Sequence, residues 1–458
     1  MTQKLKSIPN WFWVIFIPFV IRLPLLFLGY GVEEDAWGHV LNGLEMNLQG
    51  QYIISRLPGH PALELLSFFN WWAFGNTYFL WNLAPAIAAS WAAFEFYRIL
   101  LKFQIGPATE LSLAFSVVPI VLFSGASFMD YAFQLALILA AYRRFLDEKF
   151  IFSGVLIGLA MGFRLTSALI LLPILWELFS QKKLLWKNLS SLLLPFLTLS
   201  ILSYIPAYKQ LGWEFFNTYS LPYPSIAKAI YKGSLGAFGL IGFLSILFFG
   251  FKTKFKKNGN SPIFWFWMIG LHLLLFIRIP EKSAFLIPAV PFLILAISHG
   301  LSRFNQQLFA LLLILNSFVM GIHFIDPIRG SDKSALSLNT NIVGQNIAFD
   351  FLFGEYAGEW TKRINKLNYV DELLKCKSDS LLNSTVIAGW WYAMLMIEEQ
   401  EMENAKDVDW HYYIPGADLK AAEAKGLRIF ALPEQEAINS RKYAYPAESV
   451  KISDYPCP

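Results

Sequence analysis

Residues 10–39 read NWFWVIFIPFVIRLPLLFLGYGVEEDAWGH: an apolar run broken only by Arg22, then three carboxylates in a row. A helix rises about 1.5 Å per residue, so about 20 apolar residues cross about 30 Å of hydrocarbon. The run 11–30 has that length. Lys4 and Lys6 precede it and no small-residue cleavage site follows it. It is therefore expected to be an uncleaved first span with its N-terminus inside, and Glu33, Glu34 and Asp35 are expected just beyond its far end.

The rest of the chain extends this pattern. Of 458 residues, 56% are apolar and 15% charged, against about 25% charged in ordinary soluble domains. Mean hydropathy is +0.46. This excludes a disordered chain, a soluble nucleotide-binding enzyme and a disulfide scaffold. A net charge of +4 is too small to argue for nucleic acid. Further apolar runs lie near 77–97, 108–126, 131–146, 150–163, 165–180, 189–208, 234–251, 262–279, 283–300 and 307–325, which makes eleven. Arg164 sits between the fifth and sixth; read as one helix, that pair would leave ten spans and move the tail to the other side. Fifteen Lys and Arg fall in the loops on the N-terminal side and seven on the other. That bias puts the C-terminus outside the cytoplasm.

Residues 326–458 differ in kind. They hold 20 acidic and 14 basic residues, a net of −6, over a length able to fold by itself. Segments 384–395, 407–415 and 427–433 read as strands, the first running on into an aromatic helix start; 420–425 and the charged stretch 355–382 read as helices. The expected fold is an α-helical polytopic membrane protein of about eleven transmembrane helices over 1–325, with a small extracytoplasmic α/β domain over 326–458. Cys376 and Cys457 would both lie outside the cytoplasm, where a disulfide is permitted.

The long loop 31–76 carries the chemistry-bearing residues. If 34–48 is helical, Asp35, His39 and Asn42 share a face, and Glu34 points about 100° away. SRLPGHP then breaks the helix at Pro58 and Gly59. Three acids at a span end also simply mark the water boundary; a His at helical spacing, Arg56 and a Pro-Gly turn in the same loop set this cluster apart. Asp130, in the tight connection GASFMDYAF, is an acceptor or metal candidate and, more simply, a helix cap. The aromatic loop 209–233 suits sugar stacking or, more simply, the interfacial belt. His60, His272, His299 and His323 show no metal spacing.

Arg22 in the first run, the acid pair Glu34-Asp35 followed by His39, and the turn Arg56-Leu57-Pro58-Gly59-His60-Pro61 together resemble the GT-C superfamily of polytopic glycosyltransferases. The acid pair with its His is similar to that of the protein mannosyltransferases. Residues 278–291, RIPEKSAFLIPAVP, resemble the family's H-K-E-x-R-F-x-x-P-x-x-P segment. Arg278 stands near the usual His, Glu281-Lys282 is shifted, and Ala284 replaces the Arg.

The resemblance implies a sugar donor linked to polyprenyl phosphate and an acceptor hydroxyl on a glycan, lipid or protein. A carboxylate takes the acceptor's proton, and cations stabilise the departing phosphate. Asp35, by a narrow margin, and Glu34 are the base candidates. Arg278 and Lys282, backed by Arg164 and Arg56, are the phosphate candidates. His39, Asp130 and Glu281 are acceptor or metal candidates. A divalent metal (Mg or Mn) would sit on Asp35 and His39. A bacterial plasma membrane is the expected location. The alternative is a transporter or flippase for a lipid-linked glycan, which would show internal symmetry and mid-span polar groups.

Overall fold

The computed structural model describes residues 9–216, 226–253, 263–280, 282–324, 337–342, 345–351, 354–381, 383–400, 408–414, 416–432 and 452–454. Glu281, the side chain of Cys376, Cys457 and part of the loop 209–233 lie outside the described residues.

The chain is mostly helical. Helices α1 (Asn10–Arg22), α2 (Glu34–Gln49), α3 (Pro61–Phe74), α4 (Tyr78–Lys102), α5 (Ala108–Ser116), α6 (Pro119–Ser124), α7 (Tyr131–Leu146), α8 (Phe150–Phe163), α9 (Leu171–Ser180) and α10 (Trp186–Leu211) come first. Then follow α11 (Ile226–Gly233), α12 (Leu235–Phe238), α13 (Leu240–Lys252), α14 (Ile263–Arg278), α15 (Val290–His299) and α16 (Arg303–Val319).

The expectation of eleven spans does not hold. By length and composition, two segments among the described residues can cross a membrane, Asn10–Phe27 and Trp186–Glu214. A third is possible if the bent pair Ala229–Phe238 and Leu240–Lys252, which meet at 93°, counts as one. Hydropathy alone could not see the breaks. The run 108–126 splits at Val117–Val118, where Pro119 cannot continue the ladder. The run 150–180 is interrupted at Arg164, whose backbone is extended at φ −155° and ψ 119°. It is therefore neither one helix nor two of full length. α14 has only 16 residues. α4 is long enough, but Asn82, Glu95 and Arg98 lower its mean hydropathy.

The first break has a visible cause. Arg22 is fully buried and donates to the carbonyls of Pro18 at 2.8 Å, Ser116 at 2.8 Å and Val121 at 3.2 Å. At the α5–α6 junction it supplies the donor for the Ser116 carbonyl, so that acceptor is not left unpaired in the interior. A charge inside the first run thus has structural work here.

Glycines set the closest helix contacts. A Cβ on Gly154 would run into the Leu192 carbonyl oxygen, and one on Gly158 would sit 2.8 Å from the Leu199 Cβ. α8 and α10 therefore touch backbone to backbone, which is what small residues permit. Gly154→Ala is expected to push these helices apart and cost about 1–3 kcal/mol, read as a lower thermal midpoint of the purified protein.

The C-terminal part begins as α16 ends. Strand β1 (Met320–Phe324) pairs antiparallel with β3 (Gln345–Phe351), which pairs with β2 (Ser337–Ile342). After α17 (Glu355–Ser380) comes a second, parallel sheet. It orders β5 (Val408–His411), β4 (Ser384–Ile387), β6 (Arg428–Ala431) and β7 (Ser453–Asp454) as 5-4-6-7. Helices α18 (Tyr392–Glu399) and α19 (Gly416–Ala424) make the crossovers. β4 is buried along its length, as a central parallel strand should be.

α17 ties this part to the rest. Arg363 is buried and donates to the carbonyls of Leu25 at 3.1 Å and Ala126 at 2.9 Å and to Ser127 Oγ at 2.7 Å. Lys366 donates to the Val32 carbonyl at 2.6 Å. Tyr78 donates to Glu398 at 2.6 Å.

Candidate functional site

The site forms where α2 begins. Gly31 has φ +145°, open to glycine, and packs so closely on Ser127 that a Cβ would clash. The chain turns there, and α2 starts with Glu34 and Asp35 in its first turn, where a helix N-terminus favours negative charge. The face of α2 carrying Asp35, His39 and Asn42 packs on the loop 51–60. Asn42 Nδ2 donates to the Ile53 carbonyl at 2.9 Å, and the rings of His39 and His60 lie 5.6 Å apart, edge to face.

Glu64 shapes that loop. It is fully buried and accepts from Ser55 N at 2.9 Å, Ser55 Oγ at 2.7 Å, His60 N at 3.1 Å and the Tyr52 hydroxyl. A carboxylate inside an apolar helix such as LELLSFFNWWAF needs partners of this kind; that isolation was the sequence signal for it.

With the loop held, charges from five elements join in an alternating chain. Lys282 Nζ lies 2.5 Å from Asp35 Oδ2. Arg56 pairs with the same oxygen and also lies 3.3 Å from Asp130 Oδ1. Arg164 Nη1 lies 2.6 Å from Asp130 Oδ2. The Arg164 guanidinium is flanked by the rings of Tyr131 at 4.8 Å and Phe285 at 4.7 Å. His60 Nε2 approaches Asp130 at 3.8 Å. The chain Lys282–Asp35–Arg56–Asp130–Arg164 thus holds three cations and two carboxylates. Asp130 precedes α7 but makes no capping bond; both its oxygens face cations.

These neighbours set the proton affinities. Burial opposes ionisation of Asp35, but Arg56 and Lys282 outweigh it and hold its carboxyl well below the usual range. Asp130 is likewise held low, with burial overcome by Arg164 and the neighbouring groups. Burial, reinforced by the Asp35 charge, pushes Glu34 up to about 7 against the pull of Lys282, Lys366 and the Tyr412 hydroxyl. Burial, with the Arg56 charge added, lowers His39 to about 4, so the imidazole is neutral at pH 7. An acid whose charge is already neutralised is a weak base. Of the two acids, Glu34 is the one whose proton affinity is matched to neutral pH.

Of the residues singled out in sequence, the structure gathers Glu34, Asp35, His39, Arg56, Asp130, Arg164 and Lys282. Arg278 does not join them: it is exposed at the end of α14. The donor set does not suit a divalent metal. Among the described residues no group of three His, Cys, Asp or Glu side chains is placed to hold a metal ion, and Asp35 Oδ2 already faces two cations. His60 and Lys366 belong to the site and were not assigned to it from sequence. Arg363 and Lys366, three apart on one face of the charged helix α17, were the available signal for the latter.

Two cavities flank the start of α2. One, of about 200 Å³, is lined by Glu33, Ser127, Tyr131, Ser283 and apolar side chains including Phe123 and Ile287. Tyr131 donates to Glu33 at 3.2 Å on its wall. The other, of about 270 Å³, is lined by Glu34, Asp35, His39 and Arg56, with Tyr392 and Tyr412 from the C-terminal part. No family model, no curated protein and no solved structure matches this chain.

Proposed function

We propose that this chain is an inverting glycosyltransferase of the membrane. It moves a sugar from a polyprenyl-phosphate-linked donor to an acceptor hydroxyl on a glycan, lipid or protein. The observation that carries this reading is the charge chain with one surplus cation, partly open at Lys282, beside a carboxylate tuned to about 7.

Glu34 takes the acceptor's proton as the acceptor oxygen attacks the anomeric carbon. The bond from that carbon to the phosphate oxygen breaks on the opposite face, so configuration inverts. The phosphate leaves with its electron pair and needs positive charge rather than a general acid. Lys282, with Arg56 behind it, supplies that charge. Asp35 holds both cations in place, and Asp130, itself held by Arg164, holds Arg56.

Orientation has its own support. α7 starts beside Asp130 and carries Arg143 and Arg144 in its last turn, about 20 Å away. At that far pole Lys102 pairs with Asp147 and Lys183 with Glu148, so basic residues collect there. On the positive-inside rule that pole is cytoplasmic, and the site and C-terminal part are extracytoplasmic, in a bacterial plasma membrane on this reading.

The test is turnover of a panel of polyprenyl-phosphate sugars by the full chain in lipid vesicles, with inversion at the anomeric carbon as product readout. Lys282→Met is expected to lower kcat by about 10- to 1000-fold, the range for loss of one charge-stabilising donor. Movement of the lipid-linked sugar across the vesicle wall without transfer would favour the transporter and sink this reading.

A further inference from the structure

We infer that the second cavity is a saccharide site: it binds the acceptor as a sugar free of anionic groups, with hydroxyls on a floor made by His39 and Asn42 and a ring face against Tyr392 and Tyr412. The word acceptor rests on the transferase reading; the site itself rests on geometry alone.

The floor is the first observation. His39 and Asn42 are 1% and 3% exposed, and both line this cavity. Both ring nitrogens of His39 and the Oδ1 of Asn42 have no hydrogen-bond partner within the protein. Buried polar atoms are seldom left so, because each costs free energy unless a ligand or water meets it. A neutral imidazole offers one donor and one acceptor, and an amide oxygen offers an acceptor. Neighbouring hydroxyls, each able to donate and accept, match that set. A carboxylate or phosphate, with acceptors only, does not.

Charge is the second. Glu34, Asp35 and Glu45 line the cavity, and Arg56, the one cation lining it among the described residues, is already engaged by Asp35 and Asp130. An anionic group entering here meets three lining carboxylates against one lining cation that is already paired, so the cavity discriminates by repulsion.

The roof is the third. Tyr392 opens α18 and Tyr412 follows β5, so neither belongs to the helical body. Each offers a flat apolar ring with a polar tip, the combination that meets a sugar's C–H face and its hydroxyls. The bonds of Arg363, Lys366 and Glu398 tie the C-terminal part to the helical body, and both tyrosines line the cavity beside α2. The cavity exists only where the two parts of the chain meet.

The experiment is calorimetry on the full chain in lipid nanodiscs free of sugar-headed detergent. Maltose, cellobiose, mannobiose and glucosamine serve as uncharged or cationic probes and glucose 6-phosphate as the anionic one. At least one of the first four is expected to saturate, with glucose 6-phosphate weaker than any that does. Tyr392→Ala is expected to weaken that sugar about tenfold. Glu45→Gln, which keeps side-chain volume, is expected to narrow the discrimination against glucose 6-phosphate about fivefold. Failure of all four sugars to saturate overturns the inference, and so does tightest binding of the phosphate. A Tyr392→Ala protein that melts as wild type and binds as wild type overturns it too. Should that variant unfold, the Glu45→Gln discrimination decides. Saccharide binding without any sugar transfer would sink the transferase and leave the site standing. Transfer without saccharide binding would do the reverse.

Discussion

Glu34→Gln is expected to lower kcat/KM for sugar transfer by about 10²- to 10⁴-fold, the usual contribution of a positioned general base. The wild-type kcat/KM should rise with pH through about 7, because the active form of Glu34 is the carboxylate and burial with the Asp35 charge places its proton affinity there. The sign is fixed by the role: below that pH the carboxyl is protonated and accepts nothing. In the Gln variant the limb should vanish along with most of the rate. Asp35→Asn should lower the rate by a different route, by freeing Lys282 and Arg56 from their shared oxygen. It should leave a pH limb, moved to lower pH, since the charge that helps raise Glu34 is gone. A Glu34→Gln protein with full rate and an unchanged pH profile would remove Glu34 from the chemistry.

Asp130→Ala is the second large effect, on stability. Asp130 is fully buried and holds Arg164 at 2.6 Å and Arg56 at 3.3 Å. Removing it leaves two guanidinium groups facing each other with no carboxylate between them. Loss of one partner from a buried ion pair costs about 3–5 kcal/mol; here the deletion takes the carboxylate from Arg164 and leaves Arg56 with Asp35 alone. The measurement is the thermal midpoint of the full chain in one fixed detergent. Asp130→Asn should cost less, since an amide oxygen still accepts from either Arg. An Asp130→Ala protein as stable as wild type would mean the charge chain is not a structural unit.

Much of this site could be read in the chain because its signals are local. Three consecutive acids, a His four residues on and a Pro-Gly turn all fall within residues 31–61, so helical geometry alone placed Asp35, His39 and Asn42 on one face. Lys282 was named from a short motif, though what it touches lies 247 residues away. Arg278, from the same motif, was named beside it, yet it ends exposed. Four positions decide which of two cations on a turn meets a carboxylate, and local pattern does not report that. Asp130 looked like a cap because it precedes a helix; its real partners, Arg56 and Arg164, come from elsewhere in the chain.

By itself the sequence determined an apolar helical body, an acidic cluster at the end of its first run and a more charged C-terminal part with short strands. Composition and periodicity act over a few turns of chain, and those features need nothing more. Only the tertiary structure decided how many helices stay continuous, because a break is tolerated where a distant group meets a freed carbonyl, as Arg22 does for Ser116. It also decided which of the two acids keeps its proton near neutral pH. Glu34 and Asp35 are neighbours of like charge, and what separates them is where burial and two cations fall, a matter of packing between segments hundreds of residues apart.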